Sequence, residues 1–566
     1  MLSRGGSSGP TGPSSSGGSL GEQWRPWILL GLGLLGVGIA CWRPLPAGVW
    51  HDDGTYMLIA KALSEGHGFV YQGVAGTPPA TKFPPGYPLT LAALWTLTGS
   101  IGMATLAATL LNVGFLAAAG ALFGRLLHRT AGLPLGLSLA AAATGFVSTD
   151  VMRTALIPLS EPLFLLLLAL TLSQWPNVLA AVDGAHAVAE GGDGETSAAT
   201  PGVQWRLLVA PAVCLLALVA TRSAGLAVVL AFGAALLLPR PSGVRLASTA
   251  LMTGPALLFL FGWGRWSNAA TGQIPEGARD LLGSYQGWLA DQLFSAPTVF
   301  LGDLPSHTIG VFGRAIALLV PAVVGTPMWI IGWALLALAA IGTVVLIRHV
   351  PPVGWLIVAY LVMLLLWPYL DRRLLVPLHP LLVSAIAVGG LALIERISSK
   401  AGRNIFLGAA ALWLLGYATV TAHRVADGWP TAPYRVSAEN LAAAVEAMNR
   451  TVPGDAIVGA PEYWAALHLH GGWTTAPSTR FDPRSMDPEA PMWGTPDEQL
   501  ALWRDADIDH LLLEQGGQLH GAALDQLEEE CPGSVLVLAR MRVAMVVKLD
   551  WASSCRPTPS STPRSP

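Results

Sequence analysis

The sequence predicts a polytopic α-helical membrane protein that carries a small α/β domain at its carboxyl end. Three observations predict this fold class. The chain is 52% hydrophobic, and its mean hydropathy is +0.53. Only 12% of its residues are charged, against roughly 25% in soluble domains. Apolar runs long enough to cross hydrocarbon, about 17 to 25 residues each, recur between residues 27 and 421 and then stop.

Composition divides the chain into four parts. Residues 1–23 are a Gly/Ser/Pro-rich tail that cannot bury enough apolar surface to fold, so we expect disorder there. Residues 24–425 hold the apolar runs and form the predicted membrane module. Residues 430–552 alternate short β-like runs with helical patterns, which is typical of a small α/β domain. Residues 553–566 are a second tail that we expect to be disordered.

Eleven apolar runs are candidate membrane spans. They lie at about 27–42, 101–124, 131–148, 158–175, 206–221, 223–238, 246–264, 328–347, 353–369, 374–394 and 404–421. Two further runs, 83–99 and 309–325, are short and interrupted by proline, so eleven spans are favoured and thirteen are possible. The first run also fits a signal peptide cleaved near Ala47, but the many spans after it favour an uncleaved anchor.

Basic residues predict the orientation of the chain in the cell membrane. With eleven spans, the loops that carry most arginines and lysines face the cytoplasm together with the amino terminus. An odd number of spans then places the C-terminal α/β domain outside the cytoplasm.

Ionisable residues beside the apolar runs are the candidate functional residues, because burying a charge in lipid costs at least ~2.5 to 3.5 kcal/mol. With eleven spans, eight of them share the outer face of the membrane. These are Asp52, Asp53, Lys82, Arg153, Glu161, Arg222, Arg372 and Arg373. Their convergence predicts a site at the outer mouth of the bundle.

Each of these groups has a functional and a structural interpretation. Adjacent carboxylates at Asp52 and Asp53 can remove a proton from a hydroxyl, hold a metal or position a ligand, but an acid before a helix is also a common cap. Lys82 precedes two prolines that fix its depth, which suits a phosphate, although many such lysines only snorkel to the lipid headgroups. Outer guanidiniums such as Arg373 oppose the positive-inside trend, and phosphate binding is one reason to keep them.

Five short motifs carry a family resemblance. They are HDDGTY at 51–56, KFPPGYP at 82–88, SEPLF at 160–164, TRSAGL at 221–226 and DRRLLVPLHP at 371–380. In order and spacing they resemble the GT-C glycosyltransferase superfamily, in particular the family that includes protein O-mannosyltransferases and the bacterial aminoarabinose transferase acting on lipid A. A membrane part followed by an extracytoplasmic α/β domain also looks like the bacterial members.

The resemblance implies an inverting transfer of a sugar from a polyprenyl-phosphate carrier to an acceptor hydroxyl on the extracytoplasmic side. Asp52, with Asp53 next, would supply the general base. Lys82, Arg372 or Arg373 would bind the carrier phosphate, and Glu161 would position the acceptor or support a residue that contacts substrate. Arg153, Arg222 and Tyr87 complete the residues that we expect to contact substrate.

The expected partners are the lipid-linked sugar donor, membrane lipid, and a lipid, glycan or protein acceptor. No cofactor is expected, and dependence on a divalent metal stays open. A net charge of −3 gives no support for nucleic acid binding. In the C-terminal part, Glu462, His468 and His470 are only a weak metal candidate, and Cys531 and Cys555 can be a disulfide or two separate thiols.

Two other functions fit the same residues. A lipid-linked sugar flippase or transporter without transferase chemistry would also need a cationic groove, but transporters usually place ionisable groups at the membrane midplane between repeated halves. No internal repeat is visible in this sequence. An inactive scaffold is the third interpretation, and the acid pair argues against it.

Overall fold

The computed structural model describes residues 20–190, 204–239, 241–285, 294, 297–320, 325–367, 371–428, 431–461, 463–479, 495–514, 518–542 and 544–551. In these ranges a bundle of apolar helices is followed by a five-stranded sheet with helices against it. The predicted fold class, a polytopic helical membrane protein with a C-terminal α/β domain, is confirmed. Most of both tails, Glu462 and Cys555 lie outside the described residues.

The helices before residue 430 form the membrane part. They are α1 (Leu20–Cys41), α2 (Asp52–Ser64), α3 (Gly86–Thr98), α4 (Ile101–Arg129), α5 (Leu135–Val147), α6 (Thr149–Ala155), α7 (Glu161–Ser173), α8 (Trp175–Glu190), α9 (Trp205–Thr221), α10 (Gly225–Leu237), α11 (Gly243–Thr271), α12 (Arg279–Leu282), α13 (Pro297–Leu319), α14 (Thr326–His349), α15 (Pro351–Leu366), α16 (Leu378–Arg396) and α17 (Lys400–Ala426). Two 3₁₀ helices cover Glu276–Ala278 and Arg372–Leu375.

Each of the eleven apolar runs coincides with a helix or with a bent helix pair. Among the described residues, seven helices are long and apolar enough to cross a membrane, and the α5–α6 pair, bent by 63°, makes eight. The remaining three runs are the shorter apolar helices α9, α10 and α15. The chain is therefore a multi-pass membrane protein, and eleven crossings stay a prediction.

Contacts between α1 and α4 show that these two helices run antiparallel. At one end, Arg129 donates a hydrogen bond to Gln23 at 2.5 Å, and the Arg125 guanidinium lies 4.0 Å from the Trp24 ring. At the other end, the indole of Trp42 donates to the Thr109 hydroxyl at 3.3 Å. The segment with α2 and α3 that joins these two antiparallel helices therefore crosses an even number of times, which agrees with the favoured interpretation that run 83–99 does not cross.

The second uncertain run, 309–325, begins inside α13. His307 of α13 bonds to the Leu364 carbonyl near the end of α15 at 2.9 Å, and the Leu319 carbonyl accepts from Trp413 in the middle of α17 at 3.0 Å. Residues 321–324, with the proline of that run, lie outside the described residues.

The bundle is held most closely where α14 crosses α16. A Cβ added at Gly342 would lie 1.8 Å from the Ala385 carbonyl oxygen, and one added at Gly389 would lie 2.1 Å from the Leu338 carbonyl oxygen. Glycine at both positions lets the two backbones touch, as small residues do at membrane helix interfaces. This crossing fixes α16, which follows the 3₁₀ helix that carries Arg373.

The C-terminal domain is built on one mixed sheet. Its elements are α18 (Ala432–Thr451), β1 (Ile457–Ala460), α19 (Trp464–Gly471), β2 (Thr474–Pro477), α20 (Pro496–Asp505), β3 (His510–Glu514), α21 (Gln518–Glu530), β4 (Val535–Arg540) and β5 (Ala544–Leu549). The strand order is β2-β1-β3-β5-β4, with β1 parallel to β2 and β3, and β5 antiparallel to β3 and β4. Trp503, Leu511 and Val547 are fully buried at its centre.

The loop after α2 adds to the β2 edge of this sheet. Val74 forms a parallel bridge with Thr475, the Thr475 amide donates to the Gly73 carbonyl at 2.7 Å, and the Ala75 amide donates to the Thr475 carbonyl at 3.0 Å. These backbone bonds join the C-terminal domain to the membrane part directly beside α2.

Candidate active site

The two adjacent carboxylates at the start of α2 lie in different surroundings. Asp53 is fully buried, and its oxygens accept backbone N–H groups from Gly48 at 2.7 Å and Trp50 at 2.9 Å. Burial raises the pKa of Asp53 to about 6, although these amides oppose the rise. Asp53 thus holds the α1–α2 loop together, while Asp52 faces the charged residues of the bundle.

Four ionisable residues from four parts of the chain form one charged cluster: Asp52, Glu161, Arg222 and Arg373. Arg373 donates from Nη1 to Asp52 at 2.5 Å and from Nε to Glu161, and Arg222 donates from Nη1 to the same Glu161 oxygen at 2.8 Å. Asp52 is 17% exposed, and Glu161 is fully buried. Because the cluster holds two acids and two guanidiniums, its own formal charge is zero, as a buried ionic network requires.

Local structure brings each member to this point. Asp52 and Glu161 are the first residues of α2 and α7, Arg222 follows α9, and Arg373 lies in the 3₁₀ helix. That 3₁₀ helix is capped by Asp371, whose side chain accepts the Arg373 amide at 2.9 Å. Carboxylates in the first turn of a helix also interact favourably with its positive end.

Two hydroxyls extend the cluster, and neither was singled out in the sequence. Ser160 accepts from Arg222 at 2.8 Å and lies 3.0 Å from the Tyr56 hydroxyl. Both residues stand inside motifs that the charges alone had marked, and an uncharged hydroxyl gives no separate signal in a chain with many serines. Together they fix the Arg222 guanidinium against α2.

The balance of charges keeps Asp52 ionised. Burial would raise the pKa of Asp52, but the Arg373 guanidinium and then the Lys82 ammonium outweigh it and lower that pKa to about 2. Burial likewise disfavours the charged form of Arg373, yet Glu161 and Asp52 hold its pKa well above the ordinary value. At neutral pH the site therefore contains a true carboxylate beside fixed cations.

Lys82 supplies a further positive charge next to the cluster. Its side chain is almost buried, and its ammonium lies 5.1 Å from the Tyr285 ring and 5.4 Å from the Phe83 ring. Aromatic faces stabilise a partly desolvated cation. Phe83, which separates Lys82 from the prolines in the sequence, thus forms part of the ammonium's surroundings, and Tyr285 could not be foreseen from the sequence.

Besides Asp53 and Lys82, three of the predicted site residues lie outside the charged cluster. Arg153 pairs with Asp150 at 3.3 Å, and Arg372 is exposed. Tyr87 is 1% exposed, and its hydroxyl accepts a hydrogen bond from Asn112 at 3.0 Å. A buried tyrosine of this kind packs the bundle beneath the site.

The histidines of the C-terminal domain bond to protein groups. His468 lies 2.9 Å from the Trp473 carbonyl oxygen and 3.2 Å from the Lys61 ammonium, and His470 lies 2.9 Å from the Ala47 carbonyl oxygen. Within the described ranges, no group of three His, Cys, Asp or Glu side chains is placed to hold a metal ion.

The chain matches no protein-family model and no curated protein. Its structure is similar to that of ArnT from Cupriavidus metallidurans bound to undecaprenyl phosphate, with 12% identity over 95% of this chain and 100% of that chain and a TM-score of 0.46. The apo state of ArnT gives 12% identity over 92% and 98%, with a TM-score of 0.49. The archaeal oligosaccharyltransferase AglB from Archaeoglobus fulgidus, in complex with an inhibitory peptide and a dolichol-phosphate, gives 11% identity over 88% and 70%, with a TM-score of 0.48.

Proposed function

We propose that this protein is an integral membrane glycosyltransferase that moves a sugar from a polyprenyl-phosphate carrier to an acceptor hydroxyl on the extracytoplasmic side. The observation that supports it most is the charged cluster. An ionised carboxylate, Asp52, lies beside two buried guanidiniums and an almost buried ammonium at one end of a membrane bundle. A carboxylate that accepts a hydroxyl proton and cations that stabilise a phosphate are the two kinds of charge that such a transfer needs.

The proposed reaction is a single displacement. The acceptor oxygen attacks the anomeric carbon as the bond between that carbon and the carrier phosphate oxygen breaks, which inverts the configuration. The hydroxyl proton passes to Asp52, and the bonding electrons leave with the phosphate, whose growing negative charge Lys82 and Arg373 stabilise. Cations already held in place reduce the barrier because they need no reorganisation as charge develops.

The Asp52–Arg373 pair couples carrier binding to base strength. With Arg373 at 2.5 Å, Asp52 has a pKa of about 2, which makes it a weak base. A carrier phosphate that shares the Arg373 guanidinium reduces the positive field on Asp52 and raises its pKa towards the useful range near the working pH. Asp52 then becomes a competent base when a donor is present.

The C-terminal domain and the charged cluster occupy the same end of the bundle, and we place this end on the extracytoplasmic face of the cell membrane with the amino terminus in the cytoplasm. Basic residues at the other end, including Arg125, Arg129 and Arg348, support this orientation through the positive-inside rule. The acceptor is a lipid, glycan or protein hydroxyl that reaches this face.

Sugar transfer by purified protein in detergent tests the proposal. The donor is the pool of polyprenyl-phosphate sugars extracted from a strain that lacks this protein, the acceptor is that strain's envelope fraction, and mass spectrometry detects the product. We expect one sugar to move, and Asp52→Asn to reduce the rate by about 10² to 10⁴-fold, the usual effect of a general base. Asp455→Asn, an exposed acid of the C-terminal domain, is the matched control and keeps the full rate.

The same assay separates transfer from transport. Detergent solution has no second compartment, so a flippase or transporter forms no product there. If wild-type protein yields no new glycoside from any donor in the pool, or if Asp52→Asn retains the full rate, the proposed chemistry is wrong.

A further inference from the structure

His51, the residue before the charged cluster's Asp52, has an unusual backbone conformation. Its φ is 49° and its ψ is −66°, close to the rare and strained γ-turn with positive φ. Glycine reaches such angles without steric conflict, and the same loop uses Gly48 at φ 92°. A histidine held here indicates that its side chain is needed.

The imidazole of His51 is enclosed but lacks polar partners. Both ring nitrogens are buried, and neither forms a hydrogen bond with another described residue. The ring packs edge-on against Trp464 of α19, with centroids 5.8 Å apart. Buried polar atoms are normally paired, so an unpaired donor and acceptor that are fixed in place mark a position for a bound group.

The charged residues around the His51 ring indicate what kind of ligand group would bind to it. The ring lies next to the charged cluster, because the following residue, Asp52, pairs with Arg373. Trp464, which contacts the ring, also packs against Tyr71 at 6.4 Å, and the Tyr71 hydroxyl accepts the Lys82 amide at 3.3 Å. Burial and then Lys82 lower the pKa of His51 to about 4. The ring is thus neutral at working pH, with one N–H to donate and no charge to repel Lys82.

We propose that His51 binds the carrier phosphate by donating its ring N–H to a phosphate oxygen beside Lys82. This inference rests on the proposed function, because it assumes that a polyprenyl phosphate enters the site. The strained backbone and the Trp464 ring hold the donor in place before the carrier arrives, so little freedom is lost on binding. The C-terminal domain, which supplies Trp464, thereby contributes to carrier recognition without touching the carrier.

Binding of undecaprenyl phosphate to the purified full chain in detergent tests this role. We expect His51→Gly to weaken binding by about tenfold or more while its thermal unfolding temperature stays equal or rises, because glycine relieves the positive φ. Asparagine also tolerates positive φ and keeps a side-chain N–H, so the affinity of His51→Asn should lie between that of wild type and that of His51→Gly. The control is His67→Gly, since the His67 side chain is 57% exposed in the loop after α2.

The outcomes separate this inference from the proposed function. A stable His51→Gly protein that binds undecaprenyl phosphate as tightly as wild type overturns the inference, whether or not sugar transfer is found. The inference is also overturned if both variants lose affinity equally and only to the extent that they unfold. Wild-type protein that does not bind this lipid overturns it as well. Weaker binding by His51→Gly in a protein that transfers no sugar supports the inference and refutes the transferase.

Discussion

Asp52 and Asp53 are neighbours in the chain, yet their partners give them opposite properties. Guanidinium and ammonium charges stabilise the ionised form of Asp52, whereas burial dominates at Asp53 and favours its neutral form. A carboxylate whose oxygens both accept loop amides is tied to the fold, and one that faces cations can exchange partners with a ligand. The pair therefore divides into an anchor and a reactive group.

The anchor role of Asp53 predicts a specific dependence of stability on pH. Its pKa rises from an ordinary 3.8 to about 6 on folding, so the folded chain holds this proton more tightly than the unfolded chain does. Asp53 thus contributes stability that is fully present below pH ~4 and is lost as the pH rises through ~6, about 3 kcal/mol in all. Asp53→Asn does not titrate, so the free energy of unfolding of wild type minus that of the variant should fall across this interval.

Chemical unfolding in detergent at several pH values between 4 and 7 measures this difference. Asp52→Asn is the comparison, because the pKa of Asp52 lies near 2, below the interval. If the difference in free energy of unfolding between wild type and Asp53→Asn does not change with pH, Asp53 is not the buried titrating group.

Glu161 is the acid on which the cluster depends for its charge balance. It is fully buried and accepts hydrogen bonds from both Arg222 and Arg373. Glu161→Gln leaves two guanidiniums with one carboxylate, and breaking a buried pair in this way typically costs about 3 to 5 kcal/mol. We expect a matching loss in the free energy of unfolding, whereas Glu446→Gln, at an exposed ion pair of α18, should change it by less than ~1 kcal/mol. Equal effects of the two substitutions would contradict the burial argument.

At the level of the helices, the crossing of α14 and α16 depends on glycine. A Cβ at Gly342 meets the Ala385 carbonyl oxygen at 1.8 Å, which forces the two backbones apart. We expect Gly342→Ala to destabilise the protein by about 1 to 3 kcal/mol, as overpacking usually does. In α17, Gly408 has no atom within 4 Å of an added Cβ, so Gly408→Ala should be neutral or slightly stabilising because alanine favours helix. Thermal unfolding of both variants in one detergent gives the comparison. If Gly342→Ala and Gly408→Ala unfold at the same temperature, the prediction is wrong.

The sequence predicted the helices well. It predicted the arrangement of side chains within the site only in part. Length and hydropathy are local properties, and each of the eleven apolar runs is a helix or a bent pair. Scarcity of charge beside the apolar runs marked Glu161 and Arg373 as candidate functional residues. The sequence cannot say which of two adjacent arginines turns inward, so Arg372, which is exposed, carried the same expectation as Arg373.

His51 shows a second limit of sequence reasoning. It opens the HDDGTY motif, but the two acids after it carry a clearer chemical signal. Its positive φ follows no residue pattern, and its contact with Trp464, more than 400 positions along the chain, exists only in the folded protein. Tyr87 shows the reverse error: its place in a motif led to an expected role in substrate contact, but its side chain is buried outside the charged cluster.

At the scale of the whole molecule, the C-terminal domain is attached to the loops that form the site. Its α19 contacts the α1–α2 loop through His470 and the Ala47 carbonyl, and its β2 edge pairs with the loop after α2. Between these attachments lies α2, whose first residue is Asp52. The position of the proposed base therefore depends on a domain that contributes no charge to the cluster.

This dependence predicts that a change remote from the cluster reduces sugar transfer. A Cβ at Gly73 would lie 2.0 Å from Nδ1 of His468, so Gly73→Ala pushes α19 and β2 away from the loop. Gly76 has nearly the same positive φ, +76° against +79°, but no atom within 4 Å of an added Cβ. Both variants carry the same backbone strain, of order 1 kcal/mol, and only Gly73→Ala adds the clash. We expect Gly73→Ala to lower kcat by about tenfold or more, because a 1 Å displacement of a reacting group can cost as much as 10². Gly76→Ala should stay within about twofold of wild type in the same transfer assay, and equal rates for the two variants would mean that the seating of the domain does not position Asp52.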